Sequence, residues 1–130
     1  MLGMVSEGII TEEVRQGVSL LTAGPAARLT DVIAYAVSRQ EEWKERDICW
    51  LLDRFDFSNF ATPEVHTIVA AMRTKITRDH GRKTACVVAH DLGFGMLRML
   101  ECLLPEDVPV RFRVFRTREE ALAWLHSADS

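Results

Sequence analysis

Apolar positions along this chain change period several times, and each change marks an element. Residues 8–23, GIITEEVRQGVSLLTA, alternate loosely between apolar and polar. Gln16-Gly17 lies between two β-type runs, which predicts a hairpin closed by Gly24-Pro25. The next segment, LTDVIAYAVSRQEEWKE, is helical. Thr30 serves as N-cap, and Asp31 suits the positive end of the helix dipole. Val32, Ile33, Ala36 and Val37 form one apolar stripe, and the charged tail from Glu41 to Asp47 reads as a solvated face.

Residues 48–52, ICWLL, are apolar on both faces, as a central parallel strand requires, and Asp53 ends the run. The loop RFDFSNFA follows, and Thr62-Pro63 then opens a helix with Thr as cap and Pro at the first helical position. Val65, Ile68, Val69, Met72 and Ile76 carry the clearest helical period in the chain, with Gly81 as its stop. Ala85 to Ala89 predicts a second buried strand. Phe94 to Leu104 predicts a helix with Leu97, Leu100 and Leu104 on one face, stopped by Pro105. Val110 to Phe115 alternates, with Arg111 and Arg113 on one face, so it is expected at a sheet edge. Thr117 and Glu120 form a capping box for a last helix. The fold class is α/β: an N-terminal hairpin, then a parallel βαβαβα series, in one domain spanning 1–130 without repeat or linker.

Composition narrows the function classes. Hydrophobic residues make up 48% of 130 residues, enough for one core, and the net charge of −3 leaves no electrostatic footprint for nucleic acid. No apolar stretch is long enough to cross a bilayer, so membrane insertion is not expected. The opening MLGMVSEGIITEE lacks the basic flank and long apolar core of a secretory signal, so a cytoplasmic location is expected. Cys49, Cys86 and Cys102 form no CxxC pair and lie among apolar neighbours. They are expected to be buried reduced thiols, with no metal and no cofactor implied.

Ligands of open α/β sheets collect at the carboxyl ends of parallel strands. Those ends supply Asp53 and Arg54, then His90 and Asp91, then Arg116, with Phe94 as an apolar wall. Such a crevice suits a nucleotide, an anion or an apolar ligand, and His90 could move a proton; solvated strand ends and helix caps are the plainer reading. No nucleophile elbow accompanies any serine, and no metal set accompanies His66, His80, His90 or His126, so no catalytic residue is assigned. Gly93-Phe94-Gly95 resembles a fragment of a phosphate loop, but glycine also permits a tight turn and close helix-to-strand approach. Phe57 and Phe60 sit in an otherwise polar loop and are expected to be exposed, a pair suited to docking a partner together with Thr62.

The strand ending in Asp (LLDRFDFSNF), the segment ACVVAHDLGFGMLRMLE and the closing RFRVFRTREEALAWL together resemble the SpoIIAA-like branch of the STAS superfamily, over roughly residues 48–125. The resemblance implies a mixed four- to five-stranded sheet with helices mainly on one face. It also implies a non-catalytic regulatory module that works through protein contact, some members binding nucleotides or small ligands; for this chain a protein partner or a homodimer is expected. Anti-anti-sigma members are phosphorylated on a serine within Asp-Ser-Ser-Gly at the start of the helix after the central strand. Phe60-Ala61-Thr62-Pro63 places Thr62 there without the flanking Asp and Gly, which argues against the phospho-switch. This branch is also likened to CRAL-TRIO lipid carriers, which would imply an apolar ligand under the helices. A chain of this length is expected to consume its apolar residues in one core instead.

Overall fold

The computed structural model describes residues 9–76, 82–106, 108 and 110–127. In chain order the elements are β1 (Ile10–Arg15), β2 (Val18–Ala23), α1 (Leu29–Ser38), β3 (Asp47–Leu51), α2 (Thr62–Thr74), β4 (Lys83–Val87), α3 (Asp91–Leu103), β5 (Arg111–Phe115) and α4 (Arg118–Leu125). The five strands form one sheet in the order β1-β2-β3-β4-β5. β1 and β2 are antiparallel, and every later pair is parallel, with Trp50 opposite Cys86 and Cys86 opposite Val114. The expected mixed α/β sheet is thus the observed one. β3 and β4 lie side by side and co-directional at its centre.

Strand alternation sorts the core into two layers. Leu21, Ile48, Trp50, Cys86 and Val114 face α1, α2 and α3, and meet Tyr35, Val65, Leu97 and Leu100. The alternate residues Leu20, Cys49, Ala85 and Val87 face α4 and meet Ala121, Trp124 and Leu125. Three helices therefore cover one face and the short α4 covers the other. Between β1 and β2, Gln16 and Gly17 both take positive φ, 53° and 79°. That is the primed geometry whose twist matches a two-residue hairpin.

Local capping departs from the sequence expectation in a consistent way. α1 begins after Arg28 rather than Thr30, and the Arg28 N–H donates to Asp31 Oδ2 at 2.8 Å. α2 begins after Ala61 rather than Thr62, and the Ala61 N–H donates to Glu64 Oε1 at 2.8 Å. In both, a carboxylate at the third helical position reaches back to the N-cap N–H, so neither Thr30, second in α1, nor Thr62, first in α2, is the cap. Thr117 does cap α4, accepting from the Glu120 N–H at 3.2 Å. α2 ends at Thr74, and Gly81 and His80 lie outside the described residues. Cys49 and Cys86 are buried as expected, but Cys102 is exposed. It follows the buried Leu100 by two positions, which turns it about 200° around the helix.

β4 begins two residues before the expected Ala85, with Lys83 buried. Its ammonium sits at the carboxyl end of α4, donating to Trp124 O at 2.7 Å, Ser127 O at 2.9 Å and Ser127 Oγ at 3.1 Å. A cation at that end meets carbonyls left free by the helix and the negative pole of its dipole. Asp47 Oδ1 accepts the Lys83 N–H at 2.9 Å and so joins the starts of β3 and β4.

The largest departure concerns Glu12. It sits on the edge strand β1, yet its carboxylate is buried. Oε1 accepts from Tyr35 Oη at 2.6 Å and Arg39 Nε at 3.0 Å, and Oε2 accepts from Ser19 Oγ at 2.8 Å and Trp43 Nε1 at 2.9 Å. Arg46 Nη1 stands 3.6 Å from Oε2. The segment after α1 is therefore not a solvated face throughout. Glu41, Glu42, Lys44 and Glu45 are exposed, while Arg39, Trp43 and Arg46 turn in toward Glu12.

Burial alone would raise the Glu12 pKa, but donors from Tyr35, Trp43 and Ser19 and the charge of Arg39 outweigh it and hold the pKa below 4.5. A depressed carboxylate pKa contributes stability that is present above the unfolded value and lost as pH falls through the folded one. Glu12→Ala is expected to cost about 3 kcal/mol near neutral pH, since it strands several buried donors. Urea denaturation across a pH series checks this: the parent should lose stability below pH 4.5 more steeply than the variant. Parallel curves would refute the assignment.

Candidate functional site

Three strand ends converge where the sequence placed its polar crevice. Asp53, after β3, accepts the Ala89 N–H on Oδ1 at 2.7 Å. Arg116, after β5, donates from Nη1 to Ala89 O at 2.8 Å and to Asp91 Oδ1 at 3.0 Å. Ala89, just past the end of β4, is thus gripped at its N–H and its C=O by residues that follow the two neighbouring strands. The Arg116 guanidinium also lies 4.1 Å over the Phe94 ring. His90 is the N-cap of α3, its Nδ1 accepting the Gly93 N–H at 3.2 Å. Its ring stands 5.5 Å from that of Phe57. The fold therefore brings together Asp53, His90, Asp91, Phe94 and Arg116. Arg54 is exposed and takes no part in these contacts.

The polar groups of this cluster are largely occupied by one another. Asp53 and Arg116 act as a clasp on backbone groups, and the Nδ1 of His90 is engaged in capping. α3 starts at Asp91, three residues before the expected Phe94, because His90 supplies the cap. Both glycines consequently lie inside the first turns of the helix rather than in a loop. Their roles differ. A Cβ on Gly93 would meet His90 Cε1 at 2.7 Å, Val88 Cγ2 at 2.8 Å and Phe57 Cε2 at 2.9 Å, whereas one on Gly95 meets nothing within 4 Å. Gly93 permits close packing of α3 on the sheet.

Phe57 and Phe60 are buried, against the expectation of exposure, and with Phe55 they form an edge-to-face cluster with ring centroids 5.0–6.4 Å apart. The polar residues Asp56, Ser58 and Asn59 point to solvent while the rings fold beneath α2 and α3. The surface at Phe57, Phe60 and Thr62 therefore presents only Thr62 to solvent. His66 and His126 are exposed, and among the described residues no group of three or more His, Cys, Asp or Glu side chains could hold a metal ion.

A second site lies under the helices. Between the sheet and the α1–α2 layer is a cavity of about 120 Å³. Its floor is Ile48, Trp50, Leu52 and Cys86, and the phenylalanine cluster forms one wall. α1 contributes Val32, Ile33 and Ala36, and α2 contributes Ile68, Ala71 and Met72. The expectation that one core would use up the apolar residues is therefore wrong here. The physical reason is visible in α1, where Tyr35 is the one fully buried residue and Val32, Ile33 and Ala36 are only half-buried. The stripe faces inward, but α1 and α2 touch each other only sparsely. Sequence reasoning missed Trp43, Trp50, Ala71 and Met72 as site residues. The available signal was a small side chain on each roof helix, Ala36 on α1 and Ala71 on α2.

Comparison with protein-family models, with curated proteins and with solved structures finds no match. Among the described residues no helix is long and apolar enough to cross a membrane.

The two glycines give a direct check on the α3 contact. Gly93→Ala is expected to destabilise by about 1–3 kcal/mol through overpacking. Gly95→Ala should be neutral or stabilise by up to about 1 kcal/mol, the helix-propensity gain. Thermal unfolding of both variants measures the difference, and equal effects would contradict it.

Proposed function

We propose that this chain is a STAS-like, non-catalytic binding domain, and that its ligand is a small uncharged apolar molecule held between the sheet and the α1–α2 roof. The observation that carries the reading is the 120 Å³ cavity and its lining. Folded interiors close most voids larger than a water. Apolar walls that lack a packing partner lose dispersion contacts. Dry apolar cavities of about 150 Å³ take up benzene-sized molecules. Trp43, Trp50 and the phenylalanine cluster offer aromatic faces and edges, which favour a flat ligand. The resemblance to SpoIIAA-like STAS domains supports the non-catalytic side of the reading. The likeness to apolar-ligand carriers supports the site under the helices. The burial of Phe57 and Phe60 removes the exposed pair on which a protein-docking loop would rest.

A thermal-shift series with benzene, indole and short alkyl alcohols tests the reading, with Trp43 and Trp50 fluorescence as a second signal. A ligand at a hundred times its dissociation constant should stabilise the chain by about 2.7 kcal/mol. Ala71→Leu, which adds volume inside the cavity, should remove that shift without unfolding the domain. Nucleotides and inorganic anions should produce none. A nucleotide shift abolished by Arg116→Ala would move the site to the strand ends. No shift with any apolar compound, together with destabilisation by Ala71→Leu, would overturn the cavity reading.

A further inference from the structure

The two edges of the sheet are treated differently. On β5 the Val114 N–H donates to Glu101 Oε1 of α3 at 3.1 Å, so a side chain blocks that edge. On β1 the structure leaves the edge open among the described residues. Arg15 and Val18 flank the two-residue turn and face each other, and the Gly24 N–H donates to Ile9 O at 2.9 Å. Antiparallel pairing alternates, so Ile9, Thr11, Glu13 and Arg15 turn their backbone groups toward β2. Ile10, Glu12 and Val14 turn theirs outward. Val14 is 51% exposed.

We propose that β1 pairs antiparallel with β1 of a second copy of this chain, with the two-fold axis at Val14. That inference is independent of the ligand reading. Charge selects the register. With Val14 opposite its own copy, Glu13 faces Arg15 of the second copy, and Arg15 faces its Glu13. Both side chains lie on the sheet face opposite Glu12, 63% and 55% exposed for Arg15 and Glu13, and among the described residues they pair with each other at 2.7 Å. Shifting the two-fold to Glu13 sets two carboxylates directly opposite, which is unfavourable. Shifting it to Glu12 puts both charges opposite neutral residues. The Val14 register alone forms two cross-strand ion pairs, and it exchanges both outward hydrogen bonds of Val14. The overlap is short, which sets the association in the weak class.

Sedimentation velocity on the full chain up to millimolar concentration tests this, with far-ultraviolet circular dichroism to confirm folding. The parent should form a reversible dimer. Glu13→Arg and Arg15→Glu should each weaken it at least tenfold. An equimolar mixture of the two variants should dimerise again, because one copy then carries two cations and the other two anions. Val14→Pro removes an outward donor that the hairpin does not use, so it should leave the fold intact and abolish the dimer. A parent that stays monomeric throughout overturns the proposal, as does a dimer indifferent to Val14→Pro or to the charge reversals.

Discussion

The carboxylate of Glu12 joins three parts of the chain through one buried set of hydrogen bonds. It links the outermost strand to Tyr35 on α1, and to Arg39, Trp43 and Arg46 in the turn that leads into β3. An isolated buried carboxylate would be strongly unfavourable, so the surrounding donors are a condition of the fold and not an addition to it. They tie α1 to the β1 edge of the sheet through Tyr35. Beyond that polar anchor, α1 and α2 roof the apolar cavity.

Much of the architecture was legible because its signals were local. The Ile48–Leu52 run is apolar on both faces and could only be a central strand. Gln16-Gly17 named the hairpin turn, and Thr117 with Glu120 named the last cap. The parts that were not legible depend on distant partners. Glu12 looks like an ordinary polar position of an alternating strand, because Tyr35 and Trp43 lie 23 and 31 residues further on. Phe57 and Phe60 looked exposed because the polar residues between them dominate the composition of the loop. Their alternation with those polar residues was the better guide, since it turns rings inward and polar groups outward. The strand-end cluster was correctly gathered from topology, but pairing within it could not be foreseen. Asp53 and Arg116 converge on the backbone of Ala89, which carries no side-chain signal.

The two candidate sites differ in what they can still accept. At the strand ends most polar groups already have partners within the chain, so a ligand there must displace bonds such as that between Arg116 and Asp91. The cavity offers few polar groups and is walled by side chains that lose dispersion contacts while it stays empty. Occupation costs the second site no internal bond. The two are also neighbours: Phe57 lines the cavity and its ring touches the His90 cap of α3.

The manner of α1's attachment has a kinetic consequence. Hydrogen bonds are short-ranged and directional, so a helix hooked to the sheet through Glu12 either keeps that set or gives it up together. Its half-buried apolar stripe adds little to hold it in intermediate positions. Detachment of α1 is then a sub-global event, cheaper than melting the central strands, and amide protons of Val32 to Ala36 should exchange with solvent well ahead of those in β3.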